Sequence, residues 1–232
     1  MTPHINAEFN DIAKTVLLAG DPLRAEYIAN TYLTDVKLVS KVRNAYFFTG
    51  MYKGRRVTVG TSGMGIASMG IYSYELYKFY NVDKIIRIGS AGSYKDELKI
   101  YDLVLADSSF SDSHVYAQLV LGEKTHVLYP SESLNAQIME SALKLGIHIN
   151  VGRIHSSDVF YSGRRLEKTL EYTQAVAVEM ESYALFANAK KFKKHAACLL
   201  TISDNLINGE LTTPEEREKR FNWMMEVALE TV

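Results

Sequence analysis

Short apolar runs recur along the chain, separated by longer segments in which apolar residues return every three or four positions. The short runs are rich in β-branched residues and are flanked by Gly or Asp, which is typical of buried strands. They predict strands at residues 15–20, 56–60, 84–89, 102–107, 175–180 and 198–203. The 3.6-residue periodicity predicts helices at residues 22–33, 68–80, 133–146 and 181–192, and a last helix that begins at Thr213.

Strands that alternate with helices predict an α/β fold with a largely parallel or mixed sheet. In such sheets ligands bind where strands end and loops begin. The chain has only four prolines, and it shows no internal repeat or low-complexity segment. We therefore predict a single domain over residues 1–232.

Composition narrows the class of protein. The hydrophobic fraction of 47% supports a substantial core, and the net charge of -1 offers no field for nucleic acid or an anionic membrane. No apolar run approaches the roughly 20 residues that span a bilayer, and the N-terminus lacks the pattern of a signal peptide. Cys198 is the only cysteine, which excludes an internal disulfide and favours a reducing compartment. We expect a cytoplasmic protein with no nucleic-acid or membrane partner.

Arginines near two predicted strand ends indicate an oxyanion site. Gly20 follows the first strand and Arg24 lies in the first turn of the next helix, where backbone amides and a guanidinium can bind an anion. An ordinary helix start with a surface arginine explains the same pair. Arg87 interrupts an apolar strand, which is costly unless it is paired or bound to a ligand. The amides and hydroxyl around Ser90 suit phosphate oxygens, although Arg87 could instead face solvent or pair with a carboxylate.

Two carboxylates follow another predicted strand. In an extended strand Glu179 and Glu181 point the same way, so they could accept hydrogen bonds from a sugar diol. They could equally favour the start of the following helix. A metal is the weaker interpretation because no set of His, Asp or Glu at ligand spacing accompanies them. The glycine-rich segment 60–70 lacks the third glycine of a dinucleotide fingerprint, so a dinucleotide site is disfavoured.

An aromatic pair and an acid–base pair complete the candidates. Phe160 and Tyr161 could stack on a flat ring or belong to the core. Asp204 ends a predicted strand, and Arg217 begins a helical stripe that turns it inward toward such a carboxylate. The rest of that stripe is Phe221, Met224 and Ala228. Asp204 and Arg217 form either a structural salt bridge or a general acid with a cation that modulates its protonation.

Seven short segments together carry a family resemblance. In chain order they are GDPLRAEYIA, GMGIAS, RIGSAG, DVFY, VEMES, TISDN and TTPEER. With these segments the chain resembles the bacterial-type, hexameric purine nucleoside phosphorylases of the nucleoside phosphorylase superfamily. The resemblance implies a central mixed β-sheet, partly closed into a barrel and flanked by helices. It also implies phosphorolysis of purine (deoxy)ribonucleosides to free base and (deoxy)ribose 1-phosphate, with no metal and no cofactor beyond phosphate as co-substrate.

The resemblance also implies roles for individual residues and an assembly. The implied phosphate ligands are Gly20, Arg24, Arg87 and Ser90, together with Arg43 from a neighbouring subunit. The implied ribose contacts are Met180 and Glu181, together with His4 from the neighbour. The implied base-site residues are Phe160, Val178, Glu179 and Ser203. Asp204 would protonate purine N7 with assistance from Arg217, in a homohexamer built as a trimer of dimers.

Other activities remain open at this point. A methylthioadenosine nucleosidase of the same superfamily would use water and would not need the phosphate arginines. Uridine phosphorylase shares the phosphate site but reads uracil with a Gln-Arg pairing that we do not find. From other classes, a non-catalytic nucleoside-binding module would not need Asp204 and Arg217, and a dinucleotide oxidoreductase would need the complete glycine fingerprint. Two departures from the family pattern are Ala67, where proline is expected, and Asn205, where many relatives carry histidine.

Overall fold

The computed structural model describes residues 1–232, except for the side chains of residues 218 and 219. The strands are β1 (Thr15–Ala19), β2 (Thr34–Ser40), β3 (Phe47–Tyr52), β4 (Arg55–Thr61), β5 (Lys84–Ser93), β6 (Leu103–Ser111), β7 (Val127–Leu128), β8 (Ile149–Ser156), β9 (Ala177–Glu179) and β10 (His195–Asn205). The helices are α1 (Pro22–Tyr32), α2 (Ile66–Phe79), α3 (Val115–Leu121), α4 (Glu132–Leu145), α5 (Leu166–Thr173), α6 (Ser182–Phe192), α7 (Pro214–Lys219) and α8 (Asn222–Glu230). Short 3₁₀ turns cover Phe9–Asp11 and Val42–Asn44.

The strands form one mixed sheet that closes on itself over part of its width. β5 pairs with β10 in parallel and with β9 in antiparallel, and β6 and β8 join β10 to β9. The ring β5–β10–β6–β8–β9 is therefore a small barrel. β1, β4, β3 and β2 continue the sheet outward from β5. This topology confirms the predicted α/β fold with a partly barrel-closed mixed sheet.

Local sequence signals set several element ends as predicted. Asp21 caps α1 by accepting a hydrogen bond from the Leu23 amide, and Pro22 occupies the first helical position. Gly146 ends α4 in the left-handed region at φ 69°. Thr213 and Glu216 form a capping box at the start of α7, which begins where the sequence predicted the last helix. No helix in the described part of the chain is long and apolar enough to cross a membrane.

Helices cover both faces of the sheet and enclose two apolar clusters. On one face α2 and α6 bury Met69, Leu76 and Phe186 against the sheet. On the other face α1, α4 and α8 bury Ile28, Ile138 and Met224. The charged side chains buried alongside these clusters are Arg24, Glu75, Arg87, Glu179 and Glu181. Because a buried charge is costly without a partner, these residues indicate a candidate functional site.

The structure corrects the prediction of one continuous last helix. The chain leaves helical geometry at Phe221, with ψ 41°, so α7 and α8 are separate helices. The Phe221 ring is 1% exposed, with the Arg24 guanidinium 5.3 Å from its centroid and the Tyr101 ring at 6.2 Å. The predicted stripe is therefore wrong as a single helical face, although Arg217 still faces Asp204. The sequence prediction also omitted β2, β3, β7 and β8.

Candidate active site

The segment that follows β1 brings a glycine and an arginine to the carboxyl edge of the sheet. Arg24, in the first turn of α1, is 4% exposed, and its Nε donates to the backbone carbonyl oxygen of Arg217 at 2.9 Å. A β-carbon built on Gly20 would lie 3.5 Å from the Gly63 carbonyl oxygen and 4.0 Å from Nη1 of Arg87. Nη1 of Arg87, a residue of the middle of β5, therefore faces the backbone that follows the end of β1.

Arg87 is held between two buried carboxylates. It is 3% exposed, its Nε donates to Glu179 Oε2 at 2.6 Å, and its Nη2 forms an ion pair with Glu181. Burial lowers the pKa of Arg87, but the carboxylates of Glu181 and Glu179 more than offset this, and the net pKa is raised. Nη1 is buried without a hydrogen-bond partner among the described residues. This nitrogen, on the side of Gly20, is thus a fixed cationic donor without an acceptor.

Gly89 makes this position of the guanidinium possible. A β-carbon at Gly89 would lie 2.7 Å from Nη2 and 2.8 Å from Cζ of Arg87. A side chain at this position would therefore collide with the head of Arg87. Ser90 follows on the same strand and is partly exposed. The predicted phosphate residues Gly20, Arg87 and Ser90 thus lie around one strand end.

The two acids meet at Arg87 by a route that differs from the prediction. Glu179 is the last residue of β9, whereas Glu181 is the residue immediately before α6, so they do not share an extended strand. Glu181 Oε1 accepts a hydrogen bond from the Gly65 amide at 2.6 Å. Glu179 accepts from the amides of Glu181 and Ser182 and from the Ser182 hydroxyl. Glu179 therefore stabilises a helix start, which is one of the two interpretations open for these acids, and Arg87 pairs with carboxylates, which is one of the alternatives open for that arginine.

Burial and charge shift the pKa values of the two acids in opposite directions. Burial raises the pKa of Glu179, but Arg87, the Ser182 hydroxyl and two amides outweigh it, and the net pKa is lowered. Burial also raises the pKa of Glu181, and the Glu179 charge adds to that effect, so Arg87 does not reverse it. Glu179 is the permanent counter-ion of Arg87. Because its carboxylate is enclosed, any base contact from Glu179 would have to come from its backbone.

Asp204 lies across from Val178 on the other side of Gly92. A β-carbon on Gly92 would lie 2.7 Å from Asp204 Oδ2 and 3.3 Å from Val178 Cγ1. Asp204 Oδ1 accepts a hydrogen bond from the Ser203 hydroxyl at 2.6 Å. Arg217 Nη2 lies 3.5 Å from the same oxygen, the long limit of a hydrogen bond, and its Nε donates to Thr212. Asp204 is therefore a partly exposed acid with the Arg217 cation nearby, and it occupies space that a side chain at position 92 would fill.

The remaining base and ribose candidates are less tightly placed. Met180 is partly exposed between the two acids. Phe160 is 74% exposed and Tyr161 is 91% exposed, with their ring centroids 5.1 Å apart in an edge-to-face contact. The core alternative for this aromatic pair is therefore wrong. Phe160 lies on the segment 157–165, between β8 and α5, with most of its ring exposed.

Two of the predicted residues lie in a separate cluster around Tyr72. His4 Nδ1 lies 2.7 Å from Glu75 Oε1, and the His4 and Tyr72 ring centroids are 6.2 Å apart. Burial raises the pKa of Tyr72, and the nearby charge of Arg43 opposes that rise. Arg43 is exposed and has a left-handed backbone, with φ 57°. Among the described residues, no hydrogen bond, ion pair or ring contact joins His4 or Arg43 to Arg87 or Asp204.

The sequence did not show the contacts of several residues that build the site. Gly65 and Ser182 bind the two carboxylates, and Gly92 gives Asp204 its space. Glycines at 65 and 92 were visible in the sequence, but only the sheet register shows what they adjoin. Asn205 is 1% exposed, and its side chain donates to the carbonyl oxygens of Lys95 and Leu98. Its amide therefore fastens the loop between β5 and β6. The described residues contain no group of three or more His, Cys, Asp or Glu that could hold a metal.

Comparison with known proteins shows the family. The sequence profile of the phosphorylase superfamily matches residues 14–232, and the chain belongs to this superfamily. The chain is 45% identical to the purine nucleoside phosphorylase DeoD-type of Colwellia psychrerythraea, over 100% of this chain and 99% of that protein. It is also 45% identical to the protein of the same description from Mycoplasma genitalium, over 99% of this chain and 98% of that protein. The family membership predicted from the seven segments is confirmed.

A solved structure shows the same fold. It is purine nucleoside phosphorylase from Toxoplasma gondii in complex with immucillin-H. The TM-score is 0.88 at 22% identity, and the match covers 99% of this chain and 94% of that chain.

Proposed function

We propose that this chain is a purine nucleoside phosphorylase, which converts a purine nucleoside and phosphate to a free purine and ribose 1-phosphate. The observation that carries the proposal is Arg87, whose Nη1 is buried and has no hydrogen-bond partner among the described residues while Glu179 and Glu181 fix the rest of the guanidinium. A buried donor left in this way costs about 1–3 kcal/mol unless it finds an acceptor. A phosphate oxygen supplies that acceptor.

Phosphate binds where β1 ends beside the middle of β5. Arg24 and Arg87 supply charge, and a guanidinium fork matches phosphate oxygens geometrically. Gly20 leaves room for the anion to approach the backbone, and the Ser90 hydroxyl supplies a further donor.

The sugar lies between phosphate and base, against Met180 and Glu181. Glu181 keeps Oε2 on Arg87 and Oε1 on the Gly65 amide, and a carboxylate oxygen can accept a further bond from a ribose hydroxyl. Because Arg87 touches Glu181, the same group that binds phosphate also orients the sugar acceptor. The nucleophile and the anomeric carbon are thereby held together.

Asp204 acts on the leaving base. Cleavage of the glycosidic bond builds positive charge on the ribose and negative charge on the purine. Phosphate beneath the sugar stabilises the first charge, and proton donation from Asp204 to N7 neutralises the second. Arg217 supports the resulting carboxylate from 3.5 Å, and Ser203 donates to the same oxygen. Val178 and Phe160 provide apolar contact with the flat ring.

His4 and Arg43 act in the site of a neighbouring subunit. Both lie around Tyr72, away from Asp204 and Arg87 in their own chain, and Arg43 extends into solvent from a left-handed backbone position. Such a conformation in a non-glycine residue costs of order 1–3 kcal/mol and clusters at functional sites. The assembly we propose is a homohexamer built as a trimer of dimers, with no cofactor other than the co-substrate phosphate.

The test is the phosphate requirement of nucleoside cleavage. Purified protein is incubated with inosine or adenosine, and release of base and ribose 1-phosphate is followed with and without phosphate. We expect cleavage only with phosphate, and equal rates without it would assign the chain to the hydrolases instead. Ser90→Ala should raise the KM for phosphate. The matched control Ser93→Ala removes a hydroxyl that bonds only locally, to Lys95, and should leave this KM unchanged.

A further inference from the structure

A chain of polar contacts with no role in the proposed reaction begins beside the base site. His155 is 3% exposed, its Nδ1 lies 2.8 Å from the Tyr94 hydroxyl, and its Nε2 lies 2.8 Å from Asp112 Oδ2. Asp112 Oδ1 forms an ion pair with Arg164 Nη2 at 2.8 Å. Tyr94, His155, Asp112 and Arg164 form what we call the His155 chain.

The sheet register places the inner end of this chain on the face that carries the base site. Val178 pairs with Gly92 on one side and with His155 on the other, so its side chain and that of His155 share a face of the sheet. Tyr94 follows Gly92 by two residues and reaches His155 on that face. Val178 and Asp204 flank Gly92, and His155 lies beside Val178 on the next strand. The His155–Tyr94 pair therefore adjoins the predicted base site.

The charges fix how the protons are shared. Hydrogen bonding from His155 is the main cause that lowers the pKa of Asp112 to about 2, and Arg164 contributes in the same direction. Asp112 is therefore an acceptor, so Nε2–H of His155 donates to it, while Nδ1 faces the Tyr94 hydroxyl. His155 thus contacts both neighbours at once through its two ring nitrogens.

The outer end of the chain holds the segment 157–165. Arg164 belongs to this segment and also lies over the Tyr172 ring, 4.8 Å from its centroid. Phe160 extends from the middle of the same segment and is largely exposed. The segment is therefore anchored near its C-terminal end by a charged contact that leads back to the wall of the base site.

We propose that the His155 chain is a positioning device that sets where Phe160 meets the purine base. The inference rests on the proposed function for its ligand, although its anchoring role is structural and can be tested without catalysis. The His155 chain should affect the binding of one substrate and not of the other. Loss of the link should weaken nucleoside binding and leave phosphate binding unchanged, because phosphate is held where β1 ends beside the middle of β5.

Two substitutions of His155 differ in which contact of the His155 chain they keep. In His155→Gln the amide reaches the position of Nε2 and can still donate to Asp112. In His155→Asn the amide reaches only the position of Nδ1, so the contact with Tyr94 is kept and the link to Asp112 is lost. We expect His155→Asn to raise the KM for inosine roughly tenfold, the effect of losing one hydrogen bond to a charged group. We expect His155→Gln to stay close to the wild type, and both to keep the KM for phosphate.

Hydrogen–deuterium exchange of the segment 157–165 gives a readout independent of activity. Exchange should be faster in His155→Asn than in His155→Gln, with α2 as an internal reference. Arg164→Gln cuts the outer link at a side chain that is 36% exposed, without disturbing the buried histidine. It should reproduce the faster exchange, whereas the neighbouring exposed Arg165→Gln should not.

The outcomes separate this inference from the proposed function. A wild-type protein without phosphorolysis would contradict the proposed function, while the exchange comparison would still test the anchor. Equal exchange and equal KM for inosine in His155→Asn and His155→Gln would overturn the His155 chain. A parallel rise in the KM values for inosine and phosphate would also overturn it, because the damage would then be general.

Discussion

Glu179→Gln removes the permanent counter-ion of Arg87 and should be strongly destabilising. Both partners are nearly inaccessible, with side-chain exposures of 4% for Arg87 and 1% for Glu179. Removing one partner of a buried pair typically costs about 3–5 kcal/mol. Glutamine keeps one acceptor oxygen for the amides or for Arg87, so we expect the lower limit, about 3 kcal/mol. For a chain of this size that corresponds to a fall in Tm of roughly 6–12 °C.

Glu181→Gln is the matched control because it touches the same guanidinium. The pKa of Glu181 is raised by burial and by the charge of Glu179, so its ionised form is already disfavoured in the folded protein. Replacing it with a neutral amide relieves the repulsion between the two acids. We therefore expect a loss of roughly 1 kcal/mol, about the worth of an ordinary hydrogen bond. Thermal unfolding at one fixed protein concentration provides the comparison.

The two substitutions should also change the pH dependence of the free energy of unfolding in opposite directions. The lowered pKa of Glu179 means that its contribution is present above the unfolded value near 4.5 and is lost as pH falls through the folded value. For Glu181 the folded value is raised, so its ionisation reduces stability as pH rises from the unfolded value through the folded value. The difference in stability between the two variants should therefore widen as pH rises from the folded value of Glu179, below 4.5, to the folded value of Glu181, above 4.5. Equal losses at all pH values would refute our assignment of Glu179 as the counter-ion.

Three further predictions follow from the site. Asp204→Asn should slow adenosine phosphorolysis by roughly 10²–10⁴ in kcat because N7 loses its proton donor, and an unchanged kcat would remove Asp204 from that role. Arg43→Ala should raise the KM for phosphate. Co-expression of Arg43→Ala and Asp204→Asn chains should restore activity, since a mixed pair contains one site with both groups intact; inactive mixed oligomers would contradict the sharing. Asp112, with a pKa of about 2, should stabilise the fold above pH ~4 and lose that effect toward pH 2, and Asp112→Asn should flatten acid unfolding over this range.

Much of the sheet was predictable because its central strands are buried on both faces. β1 is buried at every position, and β5 and β10 are nearly so, which makes them continuous apolar runs in the sequence. β2 escaped because it lies at the sheet edge, where most of its side chains are at least partly exposed. β8 contains Gly152 and Arg153, which interrupt its apolar pattern.

The site was predictable only where a residue contradicted its surroundings. Arg87 drew attention as a charge inside an apolar run, and Asp204 as an acid at the end of one. The partner of Arg87 could not be read from the sequence, because Glu179 lies 92 positions away and meets it only through the pairing of β9 with β5. The same limit applied to His155 and Asp112, which are brought together by the register of β8 with β6.

The phosphate requirement tests the central claim most directly. Release of hypoxanthine from inosine is measured in a phosphate-free buffer and then with increasing phosphate, and ribose 1-phosphate is quantified in the same samples. We predict negligible release without phosphate, saturation as phosphate is added, and one ribose 1-phosphate for each hypoxanthine. Release at the same rate in both buffers, with free ribose as the product, would contradict the proposed phosphate site and with it the assignment as a phosphorylase.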